Sequence, residues 1–195
     1  IPSPYRKSEF VFLANIDPGL QGLVLDQMNS PRLVACDTMN FWIEGKKKEL
    51  LDTLRRVDIL VINEGETREL AGEPNILRAA RKVLSMGPES LVVKRGEYGA
   101  FMFHEGLVFS APGLPVEDIY DPTGAGDTFA GGFMGYLSST GNFSHEGMRR
   151  AVIFGSVMAS FNVESFSYDR MKELTYDEIE GRYREFSDLA AFDPL

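Results

Sequence analysis

The residues best suited to chemistry lie in one glycine-rich run, Asp121 to Phe133, which reads DPTGAGDTFAGGF. Gly124, Ala125 and Gly126 open a segment of helical character, so their backbone N–H groups have no acceptor within that helix. The helix dipole adds partial positive charge at this end, and small residues let an anionic group approach the backbone closely. The run therefore predicts an anion-binding site, with an ordinary capped helix start as the alternative.

An acidic residue, Asp127, falls in the first turn of the same helix. The dipole stabilises a carboxylate there, yet that charge would repel a bound phosphate unless the carboxylate has another task. Accepting the proton of an attacking hydroxyl is such a task. Gly131, Gly132 and Gly135 follow, each costing about 1 kcal/mol in a helix relative to alanine. We expect these three glycines to let the helix pack closely on a neighbour.

Other catalytic motifs can be excluded by inspection. No Gly-x-x-x-x-Gly-Lys-Ser/Thr occurs, so the chain is not a Walker-type NTPase. A dinucleotide-binding fingerprint fails because Phe129 stands where its third glycine belongs and Asp-Pro-Thr precedes the run. Ser-His-Asp hydrolysis would need His104 or His145, and neither lies near a recognisable nucleophile.

Composition narrows the class of protein further. The chain has 195 residues, 44% of them hydrophobic, and a formal net charge of −9, which suits a single globular domain and disfavours nucleic-acid binding. A single cysteine, Cys36, and two histidines exclude a disulfide framework and a cysteine- or histidine-rich metal site. No apolar run is long enough to span a membrane. We expect a cytoplasmic protein with no membrane partner.

The elements that must position the glycine-rich run alternate between strands and helices. Short apolar runs predict strands at 10–14, 33–36, 59–62 and 91–93, and a hairpin over 99–103 and 107–109 turning at Glu105-Gly106. Helical spacing predicts helices at 18–28, 46–57, 76–84, 126–139, 144–163 and 176–189. This alternation predicts a doubly wound α/β structure.

The run from Asp121 to Phe133 resembles the C-terminal signature of the PfkB, or ribokinase-like, family of carbohydrate and nucleoside kinases. Asn63-Glu-Gly-Glu66 is similar to the family's Asn-x-x-Glu motif, and Val92 to Ala100 resembles its strand-turn element at the nucleotide. The resemblance implies a three-layer α/β/α ribokinase-like sheet with mostly parallel strands. Residues 1–195 would form one α/β domain, the ATP-binding and catalytic portion of such a kinase. The family's N-terminal acceptor-binding part and lid are not visible in the sequence.

The resemblance assigns the central roles to the glycine-rich run. Asp127 would be the general base, and the N–H groups of Gly124, Ala125 and Gly126 would form the anion hole for the transferred phosphoryl group. Asn63 and Glu66 would hold the Mg²⁺ of Mg·ATP through water molecules, with a capped helix after a strand as the alternative.

Further positions carry weaker implications. Lys94, Gly96 and Gly99 would line the phosphates and ribose of ATP, although a salt-bridged surface lysine is the alternative for Lys94. Asp121 would bind an activating monovalent cation such as K⁺, or serve as a turn residue before Pro122. For Asp37 and Asn40 we favour strand-end capping, with substrate contact as the alternative.

Taken with the motifs, the resemblance implies a kinase that phosphorylates a hydroxyl of a sugar. The alternatives are a nucleoside kinase of the same family and a truncated, non-catalytic nucleotide-binding fragment. The expected partners are a small-molecule sugar or nucleoside and a second copy of the chain in a homodimer.

Overall fold

The computed structural model describes residues 1–191 and 193, and six strands form one sheet in the order β1-β2-β3-β4-β5-β6. The chain divides into two compact units: the first comprises residues 1–94 and 103–107, and the second comprises residues 95–102 and the chain from Val108 onward. The predicted α/β class with a mostly parallel sheet is confirmed. In the described part of the chain, no helix is long and apolar enough to cross a membrane.

The first unit contains four parallel strands: β1 (Phe10–Leu13), β2 (Leu33–Asp37), β3 (Ile59–Asn63) and β4 (Ser90–Lys94). All five residues of β2 and the first four of β3 and β4 are buried, because strands of a parallel sheet are covered on both faces. Each completely buried aliphatic side chain contributes roughly 1.5–3 kcal/mol to the free energy of unfolding. The polar residues are therefore left to the strand ends, where Asp37, Asn63 and Lys94 stand.

Five helices connect these strands: α1 (Pro18–Leu25), α2 (Asn40–Gly45), α3 (Lys47–Leu54), α4 (Glu64–Ala71) and α5 (Ile76–Leu84). Each crossover advances by one strand in the same direction along the sheet. Side-chain caps fix the starts of α1 and α5, since Asp17 accepts from the Gly19 N–H and Asn75 accepts from the N–H groups of Leu77 and Arg78. The predicted helix at 18–28 ends earlier, at Leu25.

The hairpin strands are β5 (Ala100–His104) and β6 (Leu107–Ala111), joined by the predicted Glu105-Gly106 turn. Both turn residues have positive φ, +50° and +76°, as the tightest hairpin turns require. Four further α-helices of the described residues lie in the second unit: α6 (Ala125–Thr140), α7 (His145–Asn162), α8 (Asp169–Glu173) and α9 (Tyr176–Ala190).

Helices α6 and α7 approach each other closely at Gly132. A Cβ atom there would come within 2.7 Å of the Phe154 carbonyl oxygen and of Met158 Cγ. The expected close packing is thus confirmed for Gly132 and is wrong for Gly131 and Gly135, which have no neighbour within 4 Å of an added Cβ. All three glycines line an open cavity of about 420 Å³.

The C-terminal helix is held against α7 by apolar and ionic contacts. Val157, Phe161 and Phe186 form a buried cluster. Around it, Glu164 pairs with both Arg170, at 3.1 Å, and Arg182, at 2.6 Å. The polar, amphipathic sequence of α9 therefore places one apolar residue, Phe186, in the core and leaves most of the helix exposed.

Candidate functional site

Polar groups of the first unit gather where three neighbouring strands end. Asp37 closes β2, Asn63 closes β3 and Lys94 closes β4, and Asn63 and Lys94 are register partners. In open α/β sheets, ligands bind outside these carboxyl ends of the strands. The sheet thereby brings together the predicted residues Asn63, Glu66 and Lys94.

Asn63 and Glu66 form a reciprocal capping box at the start of α4. The Glu66 N–H donates to Asn63 Oδ1 at 2.8 Å, and the Asn63 N–H donates to Glu66 Oε2 at 2.9 Å. Burial raises the pKa of Glu66, as does the nearby charge of Asp37, whereas the Asn63 hydrogen bond and the charge of Lys94 oppose the shift. The capped helix expected as the alternative is therefore present, and it orients both side chains.

The donor set of this pair fits a hydrated magnesium ion. The capping box uses one oxygen of the Glu66 carboxylate, and its Oε1 has no hydrogen-bond partner among the described residues. Mg²⁺ prefers oxygen ligands and retains several of its waters. In the described part of the chain, no three His, Cys, Asp or Glu side chains cluster to hold a metal ion. An ion at this place would therefore depend on waters and on a phosphate ligand.

Lys94, the last residue of β4, forms an ion pair with Asp37. Its Nζ lies 3.2 Å from Asp37 Oδ2, and the Asp37 side chain is only 8% exposed. Asp37 Oδ1 also accepts from the Thr38 N–H at 2.7 Å, as expected of a strand-end cap. Asn40 begins α2 and is exposed. The sequence did not reveal the Lys94–Asp37 pair, because 57 residues separate its members.

The second unit holds the glycine-rich start of α6. Gly124 is the N-cap residue and has a φ of +82°, a left-handed conformation that a side chain disfavours. The Ala125 N–H, predicted as part of the anion hole, donates to the Pro122 carbonyl at 3.2 Å. The N–H groups of Gly124 and Gly126 find no acceptor among the described residues. The Asp127 carboxylate is exposed in the first turn beside these open donors.

Asp121 stabilises the turn before Gly124, as the alternative for this residue predicts. Its Oδ1 accepts the Thr123 N–H at 2.9 Å, and hydrogen bonds from Thr123 hold the pKa of Asp121 below its usual range. This contact shapes the chain immediately before Gly124. A monovalent cation at Asp121 stays a prediction.

The turn at residues 95–99, which is predicted to contact the nucleotide, also lies in the second unit. The Arg95 N–H donates to the Gly99 carbonyl at 2.8 Å, and the Gly99 N–H donates to the Gly96 carbonyl at 3.1 Å. Gly99 has a φ of +84°, and an added Cβ would collide with the Ala111 carbonyl. The turn therefore requires glycine at this position for its own conformation.

Comparison with known proteins identifies the family of the chain. The model of the pfkB family carbohydrate kinases matches residues 26–173. The chain belongs to this family. A cytidine kinase from Thermococcus kodakarensis is 33% identical over 138 residues, covering 69% of this chain and 49% of that protein. The chain thus spans about half the length of this relative.

Two solved structures show the same fold. Aminoimidazole riboside kinase from Salmonella enterica, complexed with aminoimidazole riboside and an ATP analog, superposes with a TM-score of 0.74 at 22% identity, over 91% of this chain and 63% of that one. Fructokinase from Vibrio cholerae, bound to fructose, ADP and calcium, gives a TM-score of 0.71 at 22% identity, over 86% of this chain and 58% of that one. The fold is therefore that of the ribokinase-like kinases.

Proposed function

We propose that the protein transfers the γ-phosphoryl group of Mg·ATP to a hydroxyl of a sugar. The observation that carries this proposal is the start of α6, where open N–H groups of Gly124 and Gly126 stand beside the exposed carboxylate of Asp127. Membership of a family of phosphotransferases supports the same reaction class.

In the proposed reaction, Asp127 accepts the proton of the acceptor hydroxyl as that oxygen attacks. A positioned general base is worth ~10²–10⁴ in rate. The Gly124 and Gly126 N–H groups donate to the phosphoryl oxygens on which negative charge grows. Removing one such donor typically lowers kcat by about 10²–10³. Phosphoryl transfer suits this division, because positioning and electrostatics supply most of its catalysis.

The remaining predicted residues are proposed to bind the nucleotide and its metal ion. Bound Mg²⁺ would neutralise charge on the phosphates. Asn63 and Glu66 are proposed to hold it through waters, as the unpartnered Glu66 Oε1 supports. Lys94 and the Gly96–Gly99 turn are proposed to line the phosphates and ribose. Because the Asp121 carboxylate accepts a hydrogen bond from the Thr123 N–H within its turn, no step of this reaction is assigned to a monovalent cation at this residue.

A nucleoside is the second candidate acceptor. The cytidine kinase relative, which aligns with 69% of this chain, favours it. Both acceptors present the same reacting group, a primary or secondary hydroxyl, to the same base. A phosphorylation screen of sugars and nucleosides with the full-length protein separates the two, since one class should give the higher kcat/KM by at least tenfold.

The decisive experiment replaces Asp127 by asparagine in the full-length protein. We expect kcat to fall by ~10²–10⁴ while ATP binding persists, because Asn retains the shape of Asp and cannot accept the proton. Asp177→Asn is the matched control, since Asp177 is another exposed aspartate in the first turn of a helix. Unchanged turnover in Asp127→Asn would refute the proposal. Mg·ATP binding without turnover on any acceptor would instead identify a non-catalytic nucleotide-binding protein.

A further inference from the structure

The last residue of α7, Asn162, reaches the segment that opens α6. Its side chain is buried, with only 2% of the residue exposed. Nδ2 donates to the Thr123 carbonyl at 2.9 Å, and Oδ1 accepts from Thr128 Oγ1 at 2.8 Å. Because a carbonyl oxygen can only accept, Thr123 fixes which end of the amide faces it. The two partners of Asn162 lie on either side of Gly124–Asp127.

The N–H groups of the first turn of α6 lie between these two contacts. At a helix N-terminus the first N–H groups have no acceptor within the helix, and here Thr128 is the residue whose N–H donates to the Gly124 carbonyl, at 2.8 Å. The N–H groups of Gly126 and Asp127 have no acceptor among the described residues. Asn162 therefore holds the residues on either side of these two donors.

The same end of α7 also fixes the chain that leads into the turn. The Val163 carbonyl accepts from the Tyr120 N–H at 2.8 Å and from the Asp121 N–H at 3.3 Å. A Cβ added to Gly124 would stand 3.6 Å from Asn162 Oδ1, so the amide lies directly against the N-cap residue. Asn162 and Val163 together hold the segment on both sides of Pro122.

We propose that Asn162 is a positioning residue for phosphoryl transfer, holding Thr123 and Thr128 so that the open N–H groups and Asp127 keep their places as charge develops. This inference rests on the function proposed above. Hydrogen-bond donors that are already in place need no reorganisation during the reaction. Displacing a reacting group by 1 Å can lower the rate of the chemical step by about 10². The sequence did not single out Asn162, because nothing in Ser160-Phe-Asn-Val163 marks it as a contact of residues 34 and 39 positions earlier.

The test replaces Asn162 by leucine, which has a similar shape and makes neither hydrogen bond, in the full-length protein. We expect kcat to fall by ~10–100-fold and the acceptor KM to stay within about threefold. Thr128→Val removes one of the two bonds and should lower kcat by about 3–10-fold. In the double variant the two decreases in kcat should not multiply, because both substitutions remove the hydrogen bond between Thr128 and Asn162.

Ser144→Ala is the control for a loss of α7 stability alone. Ser144 caps the opposite end of this helix by accepting from the Gly147 N–H at 3.2 Å. A residue with a purely structural role would lower the melting temperature without changing the turnover of the folded enzyme. We therefore expect Ser144→Ala to lower the melting temperature and to leave kcat within about twofold.

A second measurement is independent of turnover. Calorimetry compares Mg·ADP alone with Mg·ADP plus aluminium fluoride, which imitates the transferred phosphoryl group. Asn162→Leu should weaken the fluoride complex by about tenfold or more and change the affinity for Mg·ADP alone by less than ~threefold. An equal loss for both ligands, or an unchanged kcat in the folded variant, would overturn the inference.

The outcomes separate this inference from the proposed function. If Asp127→Asn abolishes turnover and Asn162→Leu does not affect it, the kinase proposal stands and the positioning role is rejected. If Asp127→Asn has no effect, the kinase mechanism itself fails. Should Asn162→Leu not fold, Thr128→Val carries the test, because Thr128 is only partly buried.

Discussion

Two acidic residues with proposed roles occupy different surroundings. Asp127 is exposed at the start of α6, whereas Glu66 is partly buried and lies near the charge of Asp37. Burial of a carboxylate disfavours its charged form, so the ionised Glu66 opposes folding even while its hydrogen bond caps α4. A residue that lowers stability in this way is typical of a site kept for function.

Glutamine at position 66 should therefore stabilise the protein. It preserves the capping box, since glutamine can accept from the Asn63 N–H, and it removes the partly buried charge. The pKa of Glu66 is raised on folding, so its ionisation opposes folding above the folded-state pKa, and this effect disappears below about pH 4, where the unfolded chain is also protonated. We expect Glu66→Gln to raise the melting temperature by about 1–3 °C at pH 7.5.

Differential scanning calorimetry at pH 7.5 and pH 4 measures this difference. The gain in melting temperature should shrink as the pH falls, while activity with Mg·ATP falls at every pH. Glu49→Gln is the comparison in another helix, because Glu49 is an exposed acid in the first turn of α3. A lower melting temperature for Glu66→Gln at pH 7.5 would contradict this explanation of the raised pKa.

At the scale of elements, periodicity predicted the strands better than the short helices. The buried run of β3 is recognisable because four apolar residues precede Asn63. Helices α2 and α8 have six and five residues, too few to show a helical period, and the polar sequence of α4 carries little apolar signal.

The candidate site was predicted only where its chemistry is local in sequence. Asn63 and Glu66, or Gly124 and Asp127, stand three residues apart, so a motif can reveal them. The Asn162 contacts with Thr123 and Thr128 span 39 and 34 residues. Such contacts depend on how α6 and α7 pack, and no pattern within either segment encodes them.

The three glycines of α6 test the packing of this helix pair. Gly132→Ala should lower the free energy of unfolding by ~1–3 kcal/mol, because the new methyl group would press on the Phe154 carbonyl, which is backbone and cannot rotate away. Gly135→Ala is the matched control on the same helix. It meets no atom within 4 Å and should raise the free energy of unfolding by about 0.5–1 kcal/mol, as expected from helix propensity. Urea denaturation measures both, and equal effects would contradict the close approach at Gly132.

At the scale of the whole chain, the proposed nucleotide substrate and the 195 residues carry net charges of the same sign. The chain has 29 acidic and 20 basic residues, giving a formal net charge of −9. Mg·ATP is also an anion, so the overall field of the protein opposes its approach. Backbone N–H groups, in contrast to a cluster of lysines, bind a phosphate at short range and add no net charge.

The net negative charge predicts that the KM for Mg·ATP falls as the salt concentration rises. Raising the ionic strength from 10 to 150 mM shortens the Debye length to about 8 Å and screens the repulsion between protein and nucleotide. We expect the KM for Mg·ATP to fall by ~2-fold, whereas a neutral sugar or nucleoside acceptor should keep its KM. Initial rates in tetramethylammonium chloride, at fixed free Mg²⁺, avoid any specific effect of K⁺ at Asp121. A KM for Mg·ATP that rises with salt would show that local basic groups dominate nucleotide binding, and would shift attention from the N–H groups of α6 to Lys94.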